Sequence, residues 1–358
     1  MTELLTLSAQ LDRPGGFSAN FDVTTALTGV TAILGPSGAG KSTLLRMIAG
    51  LEPNAKLRLT IGGETWDDQH HHKPAHERGA SMVFQDGRLF PHLSVAGNLR
   101  FPLRRRSRPG FRLSFDAVVT LLALDDLLNR LPHTLSGGQR QRVALGRALL
   151  TPARLWLFDE PLAALDDAAK REIAPYLERI CREHQLPIFY VTHTLAEVVD
   201  LADKVLIVER GRIIANQAIE ALGGLLPIDE TSHGGSVLRC RVIQYDERYD
   251  LTELRLGAYP IFLRGRVAPA YTDVRVLVPA RDVSLATGAV SGLSVLNRLP
   301  TTIESLSDDA HGACIVTLNC DGQRLLARIT RYSKDELGLK LGQPVVALIK
   351  TVALATLH

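Results

Sequence analysis

Short apolar runs alternate with segments of helical periodicity over the first two-thirds of the chain. The earliest clear example is the run Val30–Leu34, which is followed by a glycine and then by a helical pattern over residues 42–49. Other apolar runs of strand length lie at residues 82–84, 155–158, 188–191 and 205–208. Helical patterns between them cover residues 115–128, 139–150 and 168–184. Parallel strands buried on both faces have continuous apolar runs of this kind, so this order predicts an α/β domain with a largely parallel sheet.

The pattern changes near Pro227, and the residues beyond it are mostly β-like. Residues 231–236, T-S-H-G-G-S, have the composition of a linker. β-like runs follow at residues 238–243, 274–278, 313–319, 324–330 and 345–350. Asp321 and Gly322 lie between two of these runs and predict a hairpin turn. We therefore expect an α/β domain over residues 1–230 and a second, all-β domain of the small-barrel, OB-like type over residues 231–358.

The composition sets limits on the function. A chain of 358 residues is long enough for two domains, and its net charge of +3 is too small to indicate a nucleic-acid partner. The four cysteines form no C-x-x-C pair and are expected to be reduced and packed. No secretion signal is visible in residues 1–10, and no apolar run approaches the roughly 18 residues of a membrane span. A membrane role would therefore depend on a partner chain.

The segment that joins the first apolar run to the first helical pattern matches G-x-x-x-x-G-K-[ST]. Its residues are Gly35, Pro36, Ser37, Gly38, Ala39, Gly40, Lys41, Ser42 and Thr43. Glycines allow such a loop to wrap a phosphate with its backbone N–H groups pointing inward, beside the positive end of a helix. Lys41 would supply a positive charge for the β- and γ-phosphates of ATP, and Ser42 a hydroxyl ligand for Mg²⁺.

The apolar run at residues 155–158 ends in two acids, Asp159 and Glu160. Asp159 can hold Mg²⁺ through its water shell, which leaves Glu160 to polarise the attacking water. The alternative is that these acids cap a helical segment at residues 163–167. The phosphate-binding loop earlier in the chain favours the catalytic interpretation.

Leu135 and the next four residues, L-S-G-G-Q, precede another helical pattern. By itself this segment is either a second anion site at a helix N-terminus or an ordinary loop with an N-cap. The pentapeptide matches the signature sequence of ABC ATPases, and the remaining three elements of that family occur in family order along the chain. These elements are Gln85 after the run 82–84, Leu165 and Asp166 after the two acids, and His193 after the run 188–191. Residues 1–215 therefore resemble a P-loop ABC ATPase domain, with its helical subdomain at about residues 86–150.

The resemblance implies a composite ATP site between two copies of the chain. Each ATP would lie between the loop 35–43 of one subunit and residues Ser136, Gly137, Gly138 and Gln139 of the other. Gln85 would contribute to the Mg²⁺ site and couple the nucleotide to a membrane subunit. His193 would contact the γ-phosphate, and Asp166 would link the two sites. Phe17 is our expected adenine-stacking aromatic, and Phe21 is the competing candidate.

Residues 294–354 resemble the molybdate-binding β domain of molybdenum-handling proteins, and we place this part at about residues 290–356. The matching residues are Ser294 and Asn297, the pair 329–330, residues 337–339 with Gly342, and residues 347–350. Leu296 stands where the family has an arginine, so Arg298 and Lys350 are the candidate cations for molybdate or tungstate. The alternative is that this domain is a dimerisation or docking platform that binds no oxyanion.

The whole chain thus looks like the ATPase subunit of a bacterial molybdate importer. The resemblance implies a homodimer at the cytoplasmic face of the inner membrane, peripheral to an integral membrane permease. A periplasmic or extracellular solute-binding protein would act with it indirectly.

An importer of sulfate, phosphate, polyamine or sugar would share every ATPase motif and differ only after Pro227. A non-transport ABC ATPase is the alternative from another class, and co-purification with a membrane partner or with nucleic acid would distinguish the two.

Overall fold

The computed structural model describes residues 3–14, 16–104, 111–184, 186–219, 235–267, 269–288, 291–308, 312–351 and 355–356. The chain divides into two compact units, Met1–Asn216 and Gln217–His358. The expected domain boundary at residues 230 and 231 lies outside the described residues, as does the first part of the expected linker at 231–236. The last two residues of that linker, Gly235 and Ser236, were wrongly assigned, because they begin a strand.

The first unit contains two sheets and six α-helices among its described residues. Its strands are β1 (Leu4–Asp12), β2 (Ser18–Ala26), β3 (Val30–Leu34), β4 (Lys56–Ile61), β5 (Glu64–Asp67), β6 (Ala80–Val83), β7 (Leu155–Asp159), β8 (Ile188–Val191), β9 (Lys204–Glu209) and β10 (Arg212–Ala218). Its helices are α1 (Lys41–Ala49), α2 (Val95–Arg100), α3 (Phe115–Leu121), α4 (Gly137–Leu149), α5 (Asp167–His184) and α6 (Leu195–Leu201).

The larger sheet has the order β10-β9-β3-β8-β7-β6. Strands β6, β7, β8, β3 and β9 run parallel to one another, which confirms the α/β class. β3, β7 and β8 are buried at every residue, as their continuous apolar runs predict. Because the carboxyl ends of parallel strands meet at one edge, the segments that follow these three neighbouring strands lie side by side. They carry the phosphate loop, the acid Glu160 and His193.

The second sheet of this unit is antiparallel, with the order β2-β1-β4-β5. None of its four strands was among the predicted elements, although β1 alternates strictly between exposed and buried residues. That alternation is typical of a strand with one buried face. The sheet contributes Phe21 to the same hydrophobic core as α1, and it therefore brings the start of β2 close to the phosphate loop.

Two helices differ in length from the prediction. The predicted helix 115–128 ends at Leu121, because Ala123 adopts a left-handed φ of 48° that no α-helix continues. The predicted helix 139–150 begins two residues earlier, at Gly137, because Ser136 caps it. No helix among the described residues is both long and apolar enough to cross a membrane.

The described part of the second unit consists almost entirely of strands. They are β11 (Gly235–Asp246), β12 (Leu251–Leu256), β13 (Tyr259–Arg264), β14 (Asp273–Pro279), β15 (Val283–Ala286), β16 (Asn297–Asp308), β17 (Ala313–Cys320), β18 (Gln323–Thr330), β19 (Pro344–Ile349) and β20 (Ala355–Thr356). One short helix, α7 (Arg331–Glu336), follows β18.

These strands form two five-stranded sheets that share one hydrophobic core. The sheet orders are β13-β12-β11-β14-β20 and β15-β19-β16-β17-β18. Asp321 and Gly322 join β17 to β18 with φ angles of 52° and 80°, the left-handed pair that a two-residue hairpin requires. The all-β class predicted for the C-terminal part of the chain is thus confirmed.

Candidate functional site

The phosphate loop depends on glycine at its two ends. Gly35 has a φ of 150°, and a Cβ atom there would lie 2.0 Å from the carbonyl oxygen of Val208 on β9. Gly40 has a φ of 106°, and a Cβ atom there would lie 3.1 Å from Phe17 Cζ and from Phe21 Cζ. The loop is therefore held between β9 and the aromatic residues near the start of β2, and larger side chains at these two positions would displace it.

Lys41 folds its ammonium group back over the loop. Its Nζ atom donates to the carbonyl oxygens of Gly35 at 2.8 Å and Pro36 at 2.9 Å. Burial lowers the pKa of this amine, and the charges of Glu160 and Asp159 oppose the shift. The cation therefore lies at the mouth of the loop, where a polyphosphate would be attracted to it.

Ser42 and Asp159 meet across the end of β7. Ser42 Oγ donates a 3.0 Å hydrogen bond to Asp159 Oδ1, although the two residues are far apart in sequence. Asp159 is buried, and this burial raises the pKa of its carboxyl group, while the hydrogen bond from Ser42 acts in the opposite direction. A buried carboxylate beside a hydroxyl is a set of oxygen ligands that suits Mg²⁺. These two residues therefore fit the metal that the sequence predicts.

Glu160 joins the two other predicted catalytic residues. Gln85 Nε2 donates a 3.1 Å hydrogen bond to Glu160 Oε2, and His193 Nδ1 lies 3.4 Å from Glu160 Oε1. Glu160 has a left-handed φ of 50°, which is uncommon for a residue with a side chain. Gln85 and His193 thus lie on either side of the Glu160 carboxylate, and the three residues follow three different strands.

Phe17 and Phe21 differ in exposure. Phe21 is completely buried within the core beneath the sheet β2-β1-β4-β5, so its ring has no face available for a base. Phe17 is only partly buried, and the guanidinium of Arg13 lies 5.9 Å from its ring centroid. Of these two aromatics, only Phe17 has exposed ring surface beside the phosphate loop.

The signature segment forms the N-terminus of α4. Ser136 Oγ accepts a 3.2 Å hydrogen bond from the main-chain N–H of Gln139, and Gln139 Oε1 accepts one of 3.0 Å from the Ser136 N–H. This reciprocal pair is a capping box, so the N-cap interpretation is correct for its local structure. Ser136 and Gly137 are nevertheless exposed, which leaves them accessible to a second molecule.

Asp166 is exposed and begins the segment that leads into α5. Its Oδ1 atom accepts a 2.8 Å hydrogen bond from the N–H of Ala169, and its Oδ2 atom lies 3.3 Å from Arg142 on α4. The hydrogen bond from Ala169 is the main reason why the pKa of this carboxyl group is lowered. Asp166 is therefore connected to the signature helix of its own subunit.

A buried network behind His193 was not predicted from the sequence. Glu197 Oε2 accepts hydrogen bonds from Tyr190 Oη at 2.9 Å and from Thr192 Oγ1 at 2.8 Å, and Lys170 Nζ lies 3.5 Å from Glu197 Oε1. Burial, followed by the charge of Glu197, raises the pKa of Tyr190 well above its usual value. The available signal was an acid in the first turn of the helix that directly follows β8.

Gln141 was also missed. It is buried on α4, and its Nε2 atom donates a 3.0 Å hydrogen bond to the main-chain oxygen of Glu160. A glutamine buried in a helix needs a specific partner, which was the available signal.

The predicted oxyanion residues lie near the start of β16 and the end of β19. Asn297 is fully buried, and its side-chain amide exchanges hydrogen bonds of 2.7 and 3.1 Å with the main chain of Phe262 on β13. Its amide connects the two sheets, and both of its polar groups have partners within the chain. Ser294 and Lys350 are exposed. Arg298 donates to the carbonyl oxygens of Val295 and Leu293, at 3.0 and 3.1 Å.

Comparison with known proteins agrees with both halves of the chain. Residues 19–163 match the family model described as ABC transporter, and residues 293–355 match the TOBE domain. The molybdenum import ATP-binding protein ModC of Methylococcus capsulatus is 45% identical over 96% of this chain and 97% of its own length. This chain belongs to the ABC transporter family. The ModC protein of Albidiferax ferrireducens is 42% identical over 99% of this chain and 96% of its own length. That of Pseudomonas syringae pv. tomato is 45% identical over 94% of this chain and 95% of its own length.

Solved ABC structures agree with the fold of the first unit. A dimeric ATP-binding cassette in a post-hydrolysis state, bound to ADP and phosphate, is 24% identical to this chain with a TM-score of 0.52. It covers 61% of this chain, and the match spans 98% of that structure. A bacterial Atm1-family ABC exporter with ATP bound gives the same TM-score and identity over 62% of this chain and 40% of its own. The chain is an ABC ATPase with a C-terminal TOBE domain, as the resemblance in the sequence predicts.

Proposed function

We propose that this chain is the ATP-hydrolysing subunit of a transporter that imports molybdate. The observation that carries this proposal is the near full-length match, at 42–45% identity, to proteins named for molybdenum import. That match covers the TOBE domain as well as the ATPase motifs, and the relatives are named for molybdenum and not for another solute. Importers of sulfate, phosphate, polyamine or sugar are therefore less well supported.

ATP would bind along the loop 35–43, with its phosphates surrounded by main-chain N–H groups and by Lys41. Phe17 would stack on the adenine, because its partly exposed ring lies beside Gly40. Ser42, Asp159 and Gln85 would hold Mg²⁺, which when bound would neutralise negative charge on the β- and γ-phosphates. Ser42 and Asp159 are already within hydrogen-bonding distance.

Glu160 would take a proton from the attacking water. Its carboxylate is oriented by Gln85 on one oxygen and lies beside His193 on the other. His193 would contact the γ-phosphate from the end of β8, and the buried Glu197 network would hold the turn that carries it. General-base catalysis of this kind contributes about 10²–10⁴-fold to a rate.

A second copy of the chain would complete each ATP site. The exposed N-terminus of α4, with Ser136, Gly137, Gly138 and Gln139, would contact the nucleotide bound by the opposite subunit. Asp166 would link the two sites, since it is exposed and tied to Arg142 on the same helix. Closure of the dimer would then depend on ATP, and hydrolysis would open it.

An integral membrane permease would bind the first unit near Gln85. A pocket of about 240 Å³ is lined by Met82, three residues before Gln85, and by Phe90, Phe101 and Pro102. Arg147 also lines this pocket and donates to the carbonyl oxygens of Gly87 and Arg88, two and three residues after Gln85. A permease segment in the pocket would thus be connected to the Mg²⁺ site.

The chain would work peripherally at the cytoplasmic face of the inner membrane, and a periplasmic or extracellular solute-binding protein would deliver molybdate to the permease.

The C-terminal unit would bind molybdate or tungstate and report the supply in the cytoplasm. Lys350 and Arg298 would provide the positive charge that Leu296 does not, and Ser294 a hydroxyl. A copy of the chain with oxyanion bound would favour a resting state of the transporter, provided that the oxyanion binds the two states with different affinity.

Co-purification tests the transport proposal. The tagged chain, extracted from its native membranes in mild detergent, should carry a hydrophobic permease and no nucleic acid. Phe101→Asp should abolish this co-purification and leave ATP hydrolysis by the isolated protein unchanged, because Phe101 lines the pocket and not the nucleotide site. Recovery of nucleic acid instead of a membrane protein would show that the chain is a non-transport ABC ATPase.

A further inference from the structure

The main chain of Glu160 is held in an unusual conformation by its neighbours. Its φ of 50° is in the left-handed region, where a side chain normally causes strain. Its N–H donates to the carbonyl oxygen of Val191 at 3.0 Å, which ties it to β8. Its own carbonyl oxygen accepts from the side chain of Gln141 at 3.0 Å and from the N–H of Ala163 at 3.3 Å. The direction of the Glu160 carboxylate therefore depends on these three contacts.

Gln141 is the only side chain among these three contacts. It lies on α4, is 5% exposed, and donates the shorter of the two hydrogen bonds that the Glu160 carbonyl oxygen accepts. Without it the carbonyl would keep only the 3.3 Å contact from Ala163, and the main chain would rotate to find another partner. Such a rotation would move the carboxylate away from Gln85 and His193, which lie 3.1 and 3.4 Å from it.

Two other residues of α4 reach the same segment. A Cβ atom on Gly138 would lie 2.7 Å from the carbonyl oxygen of Ala164, so the helix approaches the segment closely there. Arg142 lies 3.3 Å from Asp166 Oδ2. Together with Gln141, these contacts fasten the first two turns of α4 to residues 160–166 at three points.

We propose that Gln141 is a positioning residue for Glu160, and that through it the signature helix orients the catalytic carboxylate of its own subunit. This inference rests on the proposed role of Glu160 as the general base. The exposed end of the same helix, Ser136, would contact the ATP of the opposite subunit. One short segment of α4 thus connects the nucleotide of one site to the base of the other.

The test compares Gln141→Met with a matched control. Methionine has a similar length and volume but no donor, so kcat should fall by about tenfold or more while KM for ATP changes less than about twofold. Ser81→Ala is the control, because Ser81 Oγ donates a buried hydrogen bond to the carbonyl oxygen of Ala148, at the other end of α4. It should lower Tm by a similar amount and leave kcat within about twofold of the wild type. If Gln141→Met folds poorly, Gln141→Asn replaces it in the test. The asparagine amide is too short to reach the Glu160 carbonyl oxygen, so the same fall in kcat is expected.

Dimerisation separates an effect on the base from an effect on the signature segment. In the Glu160→Gln background, adding Gln141→Met should leave the ATP-dependent dimer intact on size exclusion. Loss of that dimer would show that Gln141 acts through the signature segment, and this result would overturn the proposal. A kcat within twofold of the wild type, or an equal loss of kcat in Ser81→Ala, would also overturn it. If Glu160 is not the general base, the Glu160→Gln variant alone hydrolyses ATP. That result distinguishes a failure of the base assignment from a failure of the proposal for Gln141.

Discussion

The side-chain amide of Gln85 donates a 3.1 Å hydrogen bond to Oε2 of Glu160. Gln85 follows β6, at the edge of the parallel sheet, and Glu160 follows the neighbouring strand β7. The contact connects the loop beside the proposed permease pocket with the residue that would activate water. A movement of that loop would therefore change the orientation of the carboxylate, and would give the proposed membrane subunit a direct physical route to hydrolysis.

Replacing Glu160 tests its role as the general base. Glu160→Gln keeps the size and the polar contacts of the side chain but cannot take a proton, so ATP affinity should stay within about threefold and turnover should fall at least about 100-fold. The variant should accumulate as an ATP-dependent dimer, measured by size exclusion with and without ATP. Hydrolysis at a rate near that of the wild type would mean that another group is the base.

Two substitutions separate the halves of the composite site. Lys41→Ala removes the cation at the mouth of the phosphate loop, so it should weaken ATP binding to the monomer by about tenfold or more. Ser136→Arg should leave monomer affinity unchanged and block dimer closure, because Ser136 is exposed and would serve only the opposite subunit. ATP binding is measured by titration calorimetry at protein concentrations below dimer formation. Equal losses of monomer affinity in both variants would contradict the composite site, in which Ser136 contacts the ATP of the opposite subunit.

Much of the α/β unit could be predicted because its information is local in sequence. β8 was predicted at its observed bounds, and β3 likewise, since a strand buried on both faces is a continuous apolar run. The phosphate loop is a linear motif, and parallel topology then places Glu160 and His193 at the same edge as the loop. The antiparallel sheet was missed because the alternation in β1 carries no motif to draw attention to it.

Contacts between residues that are far apart in the chain could not be predicted from the sequence. Gln141 and Glu160 are brought together by the packing of α4, and no spacing rule joins a helix to the residue after the next strand. Asn297 matches a binding motif by its residue type, but the packing of β16 against β13 buries its amide on Phe262. In the first unit the motif residues lie together in the structure, whereas in the second unit the packing of two sheets gives Asn297 partners that its motif does not indicate.

We expect the buried Asp159 carboxylate to lower the free energy of unfolding, although its proposed role as an Mg²⁺ ligand requires it. Because burial raises the pKa of this carboxyl group in the folded state, the charged form is disfavoured there, and its cost is largest at neutral pH. Asp159→Asn should therefore raise Tm at pH 7 by about 2–4 °C for each kcal/mol of cost removed, and should abolish turnover. The gain should shrink as the pH falls through the raised folded-state pKa, where the wild-type carboxyl becomes protonated. Thermal unfolding of both proteins from pH 7 to pH 4 measures this, and a gain that increases on acidification would have the wrong sign.

The C-terminal residues can be divided into ligands and structural contacts. Asn297→Ala should destabilise the protein by about 1–3 kcal/mol, because two main-chain groups of Phe262 lose their partner in a buried position. Lys350→Ala should leave stability nearly unchanged, since Lys350 is exposed, but should weaken molybdate binding to the full-length protein. Calorimetric titration with molybdate, tungstate and sulfate measures the affinity. A wild-type protein that is folded and releases no heat with any of the three would identify the C-terminal unit as a docking platform.

Molybdate uptake by cells tests the central claim most directly. A strain that lacks this gene should fail to accumulate molybdate from a medium with trace molybdate, and the wild-type gene should restore accumulation. The gene with Glu160→Gln should not restore it, and sulfate uptake should be the same in all strains. Normal molybdate accumulation in the deletion strain, together with lost uptake of a different solute, would contradict the account.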